Sequence, residues 1–297
     1  MTVMPREKRH SLWGDAWRRL RRDKVAMACL ALVAVFSVLA IYGEVVHQYY
    51  ARNDLAPPYQ AVNLDKAYEA PSLHNWMGTD GLGRDVMTRL VQGVRIAYKV
   101  GIITSFIAIP IGVILGCLAG FFGGRVDDFI VWLYSTFASM PGLLFILAIA
   151  MVVPGRGLLG VYLGIGFTTW VGLCRLVRGE VMKHKEQTYV QAARALGMGS
   201  GRIMFRQILP NITHVIIVTF TLRFPAAVGT EVFMSFLGIG VQGEPSWGLM
   251  INSARMRLWQ GMWWEMTFVT IALFLLVLAF NLLGDALRDA LDPRLND

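Results

Sequence analysis

Motifs for enzyme chemistry are missing from this 297-residue sequence. It has no Gly-Lys-Ser/Thr phosphate loop, no HExxH or CxxC metal motif and no GxSxG nucleophile elbow. The five histidines are scattered. His184 follows Glu180 by four residues, but a solvated helix face explains that pair better than a metal site. We therefore expect no catalytic residue, no metal site and no cofactor bound by this chain itself.

Cysteine and charged residues are also scarce. The three cysteines, Cys29, Cys117 and Cys174, lie in apolar runs without metal-ligand spacing or an obvious disulfide pairing, which predicts small buried residues. Only 16% of the residues are charged, 55% are hydrophobic and the mean hydropathy is +0.50. Such a composition is typical of a membrane protein and not of a soluble domain of this length.

Long apolar runs are what the sequence has in abundance. A helix needs about 20 apolar residues to cross a bilayer, and six runs reach about that length. These predicted spans are Val25–Val46, Val100–Phe122, Phe129–Val153, Leu158–Val177, Val215–Val241 and Trp263–Leu283. The first is 22 residues long, which exceeds the apolar core of a cleaved signal peptide. The predicted fold is an all-α polytopic membrane protein with six transmembrane helices.

The net charge of +8 could indicate nucleic-acid binding, but the positions of the basic residues favour a membrane topology. With six spans, the side that carries both termini holds 17 of the 28 Lys and Arg residues, and the other side holds 9. Cytoplasmic loops carry such an excess. We therefore expect cytoplasmic termini, no nucleic-acid partner, and a topology signal in the basic cluster at residues 18–24.

The spans and charges divide the chain into five segments. The predicted segments are a basic cytoplasmic N-terminus at 1–24, a first transmembrane helix at 25–46, an external segment at 47–99, a five-helix core at 100–283 that includes a cytoplasmic loop at 178–214, and a cytoplasmic C-terminus at 284–297.

A polar, basic stretch at 188–211 lies in that cytoplasmic loop. Four residues repeat at helical spacing and predict one small-to-apolar helix face: Tyr189, Ala192, Ala193 and Leu196. Gly197 follows where a left-handed helix cap favours glycine. Residues 202–209 predict a second helix that Pro210 limits. The small residues predict a docking surface, although an amphipathic connector would have the same pattern.

Two of the spans carry a small residue at every fourth position, a pattern typical of close helix packing in lipid. The first strip runs from Ala108 through Gly112 to Gly124, and the second is Gly160, Gly164, Thr168 and Gly172. In the third span, Pro141 predicts a static kink.

Ionisable residues inside spans often mark function. Arg223 and Glu231 lie in the fifth span, eight residues and about 12 Å apart along a helix, too far to pair directly. They are candidate pathway residues.

Glycines and charges concentrate in the external stretch that runs from Trp76 to Asp85. Its notable residues are Gly78, Thr79, Asp80, Gly83, Arg84 and Asp85. Val86, Leu90 and Val94 follow at four-residue spacing and predict a helix leading into the second span. A rigid turn with a helix cap and an Arg–Asp pair is the favoured interpretation, with direct ligand contact as the alternative.

Four stretches together resemble the permeases of ABC transporters, in the dipeptide/oligopeptide/nickel branch. Gly78-Thr79-Asp80 with Gly83-Arg84-Asp85 matches the GTDxxGRD signature, and the segments at 231–248 and 281–294 resemble ExxxSFLGxGVQ…PxWG and NLLGDxLRDxLDPR. The fourth is Gln191-Ala192-Ala193, Gly197 and Gln207-Ile208-Leu209-Pro210, which is similar to the EAA loop. Gln191 stands where the family has Glu, and Gln207 where it has Ile, so a charge-dependent contact at 191 is not expected.

This resemblance implies the fold of a type I ABC importer permease in a bacterial or archaeal inner membrane. It also implies a second related permease, two ATPase subunits that use ATP, an external substrate-binding protein and contact with membrane lipids. The coupling loop would comprise Tyr189, Gln191, Ala192, Ala193, Leu196, Gly197, Leu209 and Pro210. Dipeptides or oligopeptides are the leading substrates, followed by nickel or a small modified peptide. A self-contained secondary transporter or channel is the alternative function.

Overall fold

The computed structural model describes residues 12–153 and 157–291, and these ranges are almost entirely helical. The helices are α1 (Leu12–Arg22), α2 (Lys24–Arg52), α3 (Val86–Phe122), α4 (Gly124–Ser139), α5 (Gly142–Val152), α6 (Leu158–Thr168), α7 (Val171–Lys185), α8 (Thr188–Ala195), α9 (Ser200–Ile203), α10 (Leu209–Asn211), α11 (Thr213–Phe236), α12 (Trp247–Arg255) and α13 (Trp264–Leu291). Residues 1–11, 154–156 and 292–297 lie outside the described residues. They belong to the predicted N-terminus, five-helix core and C-terminus, respectively.

Five helical segments in the described ranges are long and apolar enough to cross a membrane, and a sixth span requires α4 and α5 to act together. Those two helices meet at 90° around Met140 and Pro141. Met140 is extended, with a ψ of 141°, as the residue before a proline prefers. The predicted kink is therefore a right-angled break between two helices. The third predicted span is not one continuous helix.

The helix α3 is continuous over 37 residues, or about 55 Å. A hydrocarbon core is about 30 Å thick, so a third or more of α3 projects beyond it. The predicted helix leading into the second span is confirmed as the start of α3. Val86 and Val94 are fully buried there, in a cluster shared with α2, α11, α12 and α13. This projecting end of α3 is the framework for the external segment.

The first strip of small residues forms the seam between α3 and α7. Cβ atoms placed at three of its glycines would come very close to backbone carbonyl oxygens. The distances would be 3.0 Å from Gly112 to Trp170, 2.7 Å from Gly116 to Cys174 and 2.7 Å from Gly120 to Arg178. The predicted packing role is confirmed from Gly112 to Gly120, because the absence of side chains lets the two backbones touch. It is wrong for Gly124, which has open space beside it because α3 ends at Phe122. Cys117 and Cys174 are fully buried, Cys29 is 8% exposed, and all three are free, as predicted.

The second strip holds for only half of its predicted length. Cβ atoms at Gly160 and Gly164 would each lie 2.8 Å from a carbonyl oxygen of α5. Thr168 instead donates a hydrogen bond to the Gly164 carbonyl, 2.7 Å away. Gly172 has open space beside it. The prediction is wrong for Gly172 because α6 ends at Thr168, and the break before α7 rotates the later residues out of the strip.

Aromatic rings join three of the long helices, α3, α11 and α13. Phe224 of α11 stacks on Phe280 of α13 with centroids 4.0 Å apart, and Tyr98 of α3 meets Phe224 edge-on at 5.2 Å. Nearer the start of α3, Trp247 is 1% exposed and its indole nitrogen donates to the Leu90 carbonyl at 3.1 Å. These contacts fix α12 and the loop before it against α3.

Candidate functional site

The helix α8 is closed by a complete left-handed cap at Gly197. That residue has a φ of +76°, its N–H donates to the Arg194 carbonyl at 2.9 Å, and the Met198 N–H donates to the Ala193 carbonyl at 3.0 Å. This pair of bonds is the Schellman motif, which satisfies the last carbonyls of a helix and favours glycine. The predicted cap is confirmed, and it ends α8 on an exposed surface.

The predicted single face of α8 is divided between the protein interior and the surface. Val190 and Ala193 are 0% and 6% exposed, whereas Ala192 is exposed and Leu196 is 84% exposed. Ala192 and Ala193 are adjacent, so they lie about 100° apart on the helix and face different surroundings. The prediction of one common face is wrong in this respect: Ala193 anchors α8, whereas Ala192, Leu196 and Gly197 are exposed.

A second helical stretch holds α8 in place. It runs from Ser200 through a π-helical turn at Met204–Ile208 into α10, longer than the predicted 202–209. The Leu209 N–H donates to the Met204 carbonyl, five residues back, and Pro210 has no N–H with which to restore α-helical bonding. Ile203, Met204 and Ile208 are at most 2% exposed. Their apolar spacing is a signal that the sequence analysis missed.

Two side-chain contacts connect α8 to the spans. The His184 Nδ1 atom of α7 lies 3.0 Å from the Tyr189 hydroxyl. Burial raises the pKa of Tyr189, so this hydroxyl stays protonated at neutral pH. The Arg194 guanidinium lies over the Phe121 ring at the end of α3, 5.4 Å from its centroid.

The remaining predicted loop residues make few contacts with the spans. Gln191 is exposed and donates to the Glu186 carbonyl at 3.2 Å, Leu209 is half-buried and Pro210 is exposed.

Asp80 is the centre of the external signature segment. It is 4% exposed, and its carboxylate accepts the Leu82 and Arg84 N–H groups at 2.9 and 3.0 Å and the Arg84 Nε at 2.7 Å. The Arg89 Nε lies 3.4 Å away. These contacts occupy both carboxylate oxygens, so the geometry is that of a turn held by an Arg–Asp pair.

The other signature residues shape the same turn. Gly78 and Gly83 have φ values of +73° and +68°, and Asp85 caps α3 by accepting the Thr88 N–H at 2.9 Å. Thr79 accepts the Glu69 N–H at 2.8 Å, and its carbonyl accepts the Trp264 indole N–H at 3.0 Å. The segment therefore ties the external loop to the start of α13.

The two candidate pathway residues have separate partners, so the prediction that they do not pair is confirmed. Arg223 donates to the carbonyl and the hydroxyl of Thr169, at the break between α6 and α7. Glu231 is 1% exposed and accepts the Ser235 hydroxyl at 2.6 Å. Ser235 also accepts the Val241 N–H at 3.0 Å, which folds the following loop back onto α11. Both charged groups serve contacts within this chain.

An ion-pair cluster around one buried arginine, in the first half of α3, was not predicted. Arg95 is 1% exposed and pairs with Glu244, while its Nη1 lies 3.6 Å from the Glu44 carboxylate. Lys99 approaches the same Glu44 at 2.7 Å. The cluster joins α2, α3 and the loop before α12. A polar stripe along α3, at Arg89, Gln92, Arg95 and Lys99, is the signal that could have revealed it.

Comparisons with known proteins agree with this architecture. Residues 112–297 match the family described as binding-protein-dependent transport system inner membrane component, and residues 11–58 match the N-terminal TM domain of oligopeptide transport permease C. The dipeptide transport system permease protein DppC of Bacillus subtilis (strain 168) is 40% identical over 95% of this chain and 85% of its own length.

Two further relatives and one solved structure extend the comparison. The oligopeptide transport system permease protein OppC of Bacillus subtilis is 36% identical over 97% of this chain and 92% of that protein. The glutathione transport system permease protein GsiD of Pectobacterium atrosepticum is 36% identical over 95% and 91%. An inward-facing MetNI methionine ABC transporter matches with a TM-score of 0.55 and 19% identity, over 70% of this chain and 98% of that one, which shows a shared fold.

The family match covers well over half of the sequence, and three relatives exceed 30% identity along nearly its whole length. The apolar helices agree with an integral membrane protein of several spans. This chain therefore belongs to the family of binding-protein-dependent transport system inner membrane components.

Proposed function

We propose that this chain forms half of the translocation pathway of an ATP-driven importer for dipeptides or oligopeptides, and that the loop at 188–210 couples it to ATPase subunits. The observation that carries the proposal is the surface of α8. Ala192, Leu196 and Gly197 are exposed, while Val190 and Ala193 on the neighbouring buried face hold the helix to the protein. An exposed leucine on a rigid, capped helix suits insertion into a groove of a partner.

The contacts of α8 supply a route for movement. A force on α8 reaches α7 through Tyr189 and His184, α3 through Arg194 and Phe121, and α11 through the buried second helix. Nucleotide-driven closure of the ATPases would then favour one of two arrangements of the spans, outward-open or inward-open. This is a shift between two populations, biased by the arrangement that the closed ATPases fit.

The proposed assembly contains this chain, a second related permease, two ATP-hydrolysing subunits and an external binding protein. The chain itself is a transport subunit, and ATP hydrolysis belongs to the partners. The basic residues, 17 against 9, support cytoplasmic termini in a bacterial or archaeal inner membrane. The named relatives transport dipeptides, oligopeptides and glutathione, which supports a peptide substrate over nickel.

A self-contained secondary transporter is disfavoured by the same structure. Ion coupling needs ionisable groups inside spans that are free to bind and release the ion. Arg223 is committed to Thr169, and Glu231 is buried against Ser235. The family to which the chain belongs also depends on partner proteins by its description.

Co-purification tests the proposal. Leu196→Asp is expected to lower the recovery of the ATPase subunits at least about tenfold, because it places a charge where an apolar side chain would be buried. The matched control is Leu73→Asp, since Leu73 is 92% exposed in the external segment. Mass spectrometry of the affinity-purified complex measures both. Equal ATPase recovery from the Leu196→Asp protein and the wild type would rule out docking through this face.

Gln191→Glu should be tolerated, with transport equal to the wild type or raised by up to about threefold. The residue is exposed in the first turn and a half of α8, where a negative charge interacts favourably with the helix dipole, by about 0.3–1 kcal/mol. The change removes the hydrogen bond to the Glu186 carbonyl. Transport and ATPase rates in proteoliposomes measure the effect. A loss of tenfold or more would mean that the partner requires a neutral side chain at this position.

A further inference from the structure

We infer that the basic junction between α1 and α2 is a binding surface for the phosphate groups of anionic phospholipids. The junction consists of Arg21, Arg22, Asp23 and Lys24. The inference concerns a face of the chain distant in sequence from the coupling loop, and it does not depend on the proposed function.

The cations of the junction have no counter-charge contact among the described residues. Arg21, Arg22 and Lys24 are exposed, and none of them makes an ion pair or side-chain hydrogen bond with the residues at 12–153 and 157–291. Asp23, the acidic residue among them, is directed to the backbone, because its carboxylate accepts the Val25 and Ala26 N–H groups at 2.8 and 3.2 Å. Three exposed positive charges are therefore left for an external anion.

Two cations elsewhere in the chain are paired with carboxylates, unlike those of the junction. Lys99 lies 2.7 Å from Glu44, and Arg178 binds Asp127 through two hydrogen bonds of 2.5 and 2.6 Å. A general bias of basic residues toward the cytoplasm accounts for the side on which the junction lies. That bias does not explain why three neighbouring cations lack carboxylate partners. A surface that faces anionic headgroups does explain it.

The junction is held rigidly against the body of the protein. Leu20 is 5% exposed and packs in a cluster with Ala279 and Leu283 of α13. Asp23 separates α1 from α2 by one residue and caps the second helix. The backbone that carries the cations consequently has a fixed position, and little of its conformational entropy is lost when a ligand binds.

The length of α2 places the junction at the level of the lipid headgroups. The stretch from Val25 to Gly43 is 19 residues without a charge, or about 28 Å of helix, close to the roughly 30 Å of a hydrocarbon core. Val25 is 57% exposed and would meet lipid at one boundary. The cations immediately before it then lie among the phosphates, with the half-exposed Trp17 at the same interface. Charge and depth both fit an anionic phospholipid.

The experiment measures which lipids remain with the full-length protein. The purified wild type, in nanodiscs of equal phosphatidylglycerol and phosphatidylcholine, is transferred to mild detergent, and the retained lipids are quantified by mass spectrometry. We expect several-fold enrichment of phosphatidylglycerol. Each cation near a membrane surface contributes roughly fivefold in affinity, so R21Q/R22Q/K24Q should abolish the enrichment. The control is R52Q/K66Q, which removes two exposed cations from another segment of the chain. No enrichment in the wild type, or unchanged enrichment in the triple variant, overturns the inference.

Two further arms keep the result decisive. R21K/R22K preserves the charge and should preserve the enrichment, which separates electrostatic binding from loss of a structural arginine. If the triple variant fails to fold, the wild type is measured at increasing ionic strength, where enrichment must fall because salt screens exposed charges. Enrichment that is insensitive to salt overturns the inference. Displacement of the lipid by millimolar inorganic phosphate would instead assign the surface to free phosphate.

Discussion

Gly197→Trp is expected to abolish substrate transport while the chain remains folded in the membrane. A Cβ atom at this position meets nothing within 4 Å, so the indole has space in the isolated chain. The φ of +76° adds about 1–2 kcal/mol of backbone strain, which a chain of this size tolerates. The loss must then arise in the complex, where a large ring beside Leu196 prevents an ATPase surface from approaching the end of α8.

Gly197→Asn is the control for this variant. Asparagine tolerates the left-handed conformation better than other residues and is small, so the cap should survive and transport should stay within about threefold of the wild type. Transport and ATPase coupling are measured in proteoliposomes, and membrane insertion is measured by the yield of folded protein after mild extraction. Wild-type transport by the tryptophan variant would falsify the assignment of α8 as the coupling helix.

Gly83→Ala should cause the largest loss of stability among single methyl additions to the external segment. The new Cβ would lie 1.7 Å from the Asn63 carbonyl oxygen, and Gly83 has a φ of +68°. The overlap cannot be relieved by a side-chain rotation because the atom belongs to the backbone. Asn63 would have to move away, although its N–H is bonded to the Leu82 carbonyl at 3.0 Å. We expect a cost on the order of 4 kcal/mol.

Gly243→Ala separates the steric cost from the conformational one. Gly243 has a similar φ of +78°, but a Cβ there would meet nothing within 4 Å. Its replacement should cost about 1–2 kcal/mol. Thermal unfolding of the purified proteins in one detergent should therefore show a decrease in Tm of about 10 °C for Gly83→Ala and about 3 °C for Gly243→Ala. Equal decreases would mean that the contact with Asn63 does not constrain the turn.

Helix positions and local turns were predictable because they depend on nearby residues. The apolar runs predicted α2, the later part of α3 and α13, since burying a polar backbone in lipid requires a helix. Gly197 was predicted as a cap because its left-handed conformation follows from helix termination alone. The Gly112–Gly120 strip predicted a packed seam, although the sequence did not say that α7 is its partner.

The contact partners of individual side chains were harder to predict from the sequence. Ala193 was grouped with Ala192 because both are small, but the position of the second helix decides that Ala193 is covered and Ala192 is not. Arg223 was assigned to a pathway because charges inside spans are rare; its partner, Thr169, lies 54 residues away at a helix break. No local pattern identifies such a contact.

By itself, the sequence determined that this protein is a helical membrane protein with a glycine-capped helix that ends at Gly197, because hydropathy and turn chemistry are properties of short segments. The tertiary structure decided which side of α8 is free, how α4 and α5 turn at Pro141, and that Arg95 is buried between Glu44 and Glu244. Those outcomes depend on residues far apart in the chain, whose contacts form only when the long helices pack together.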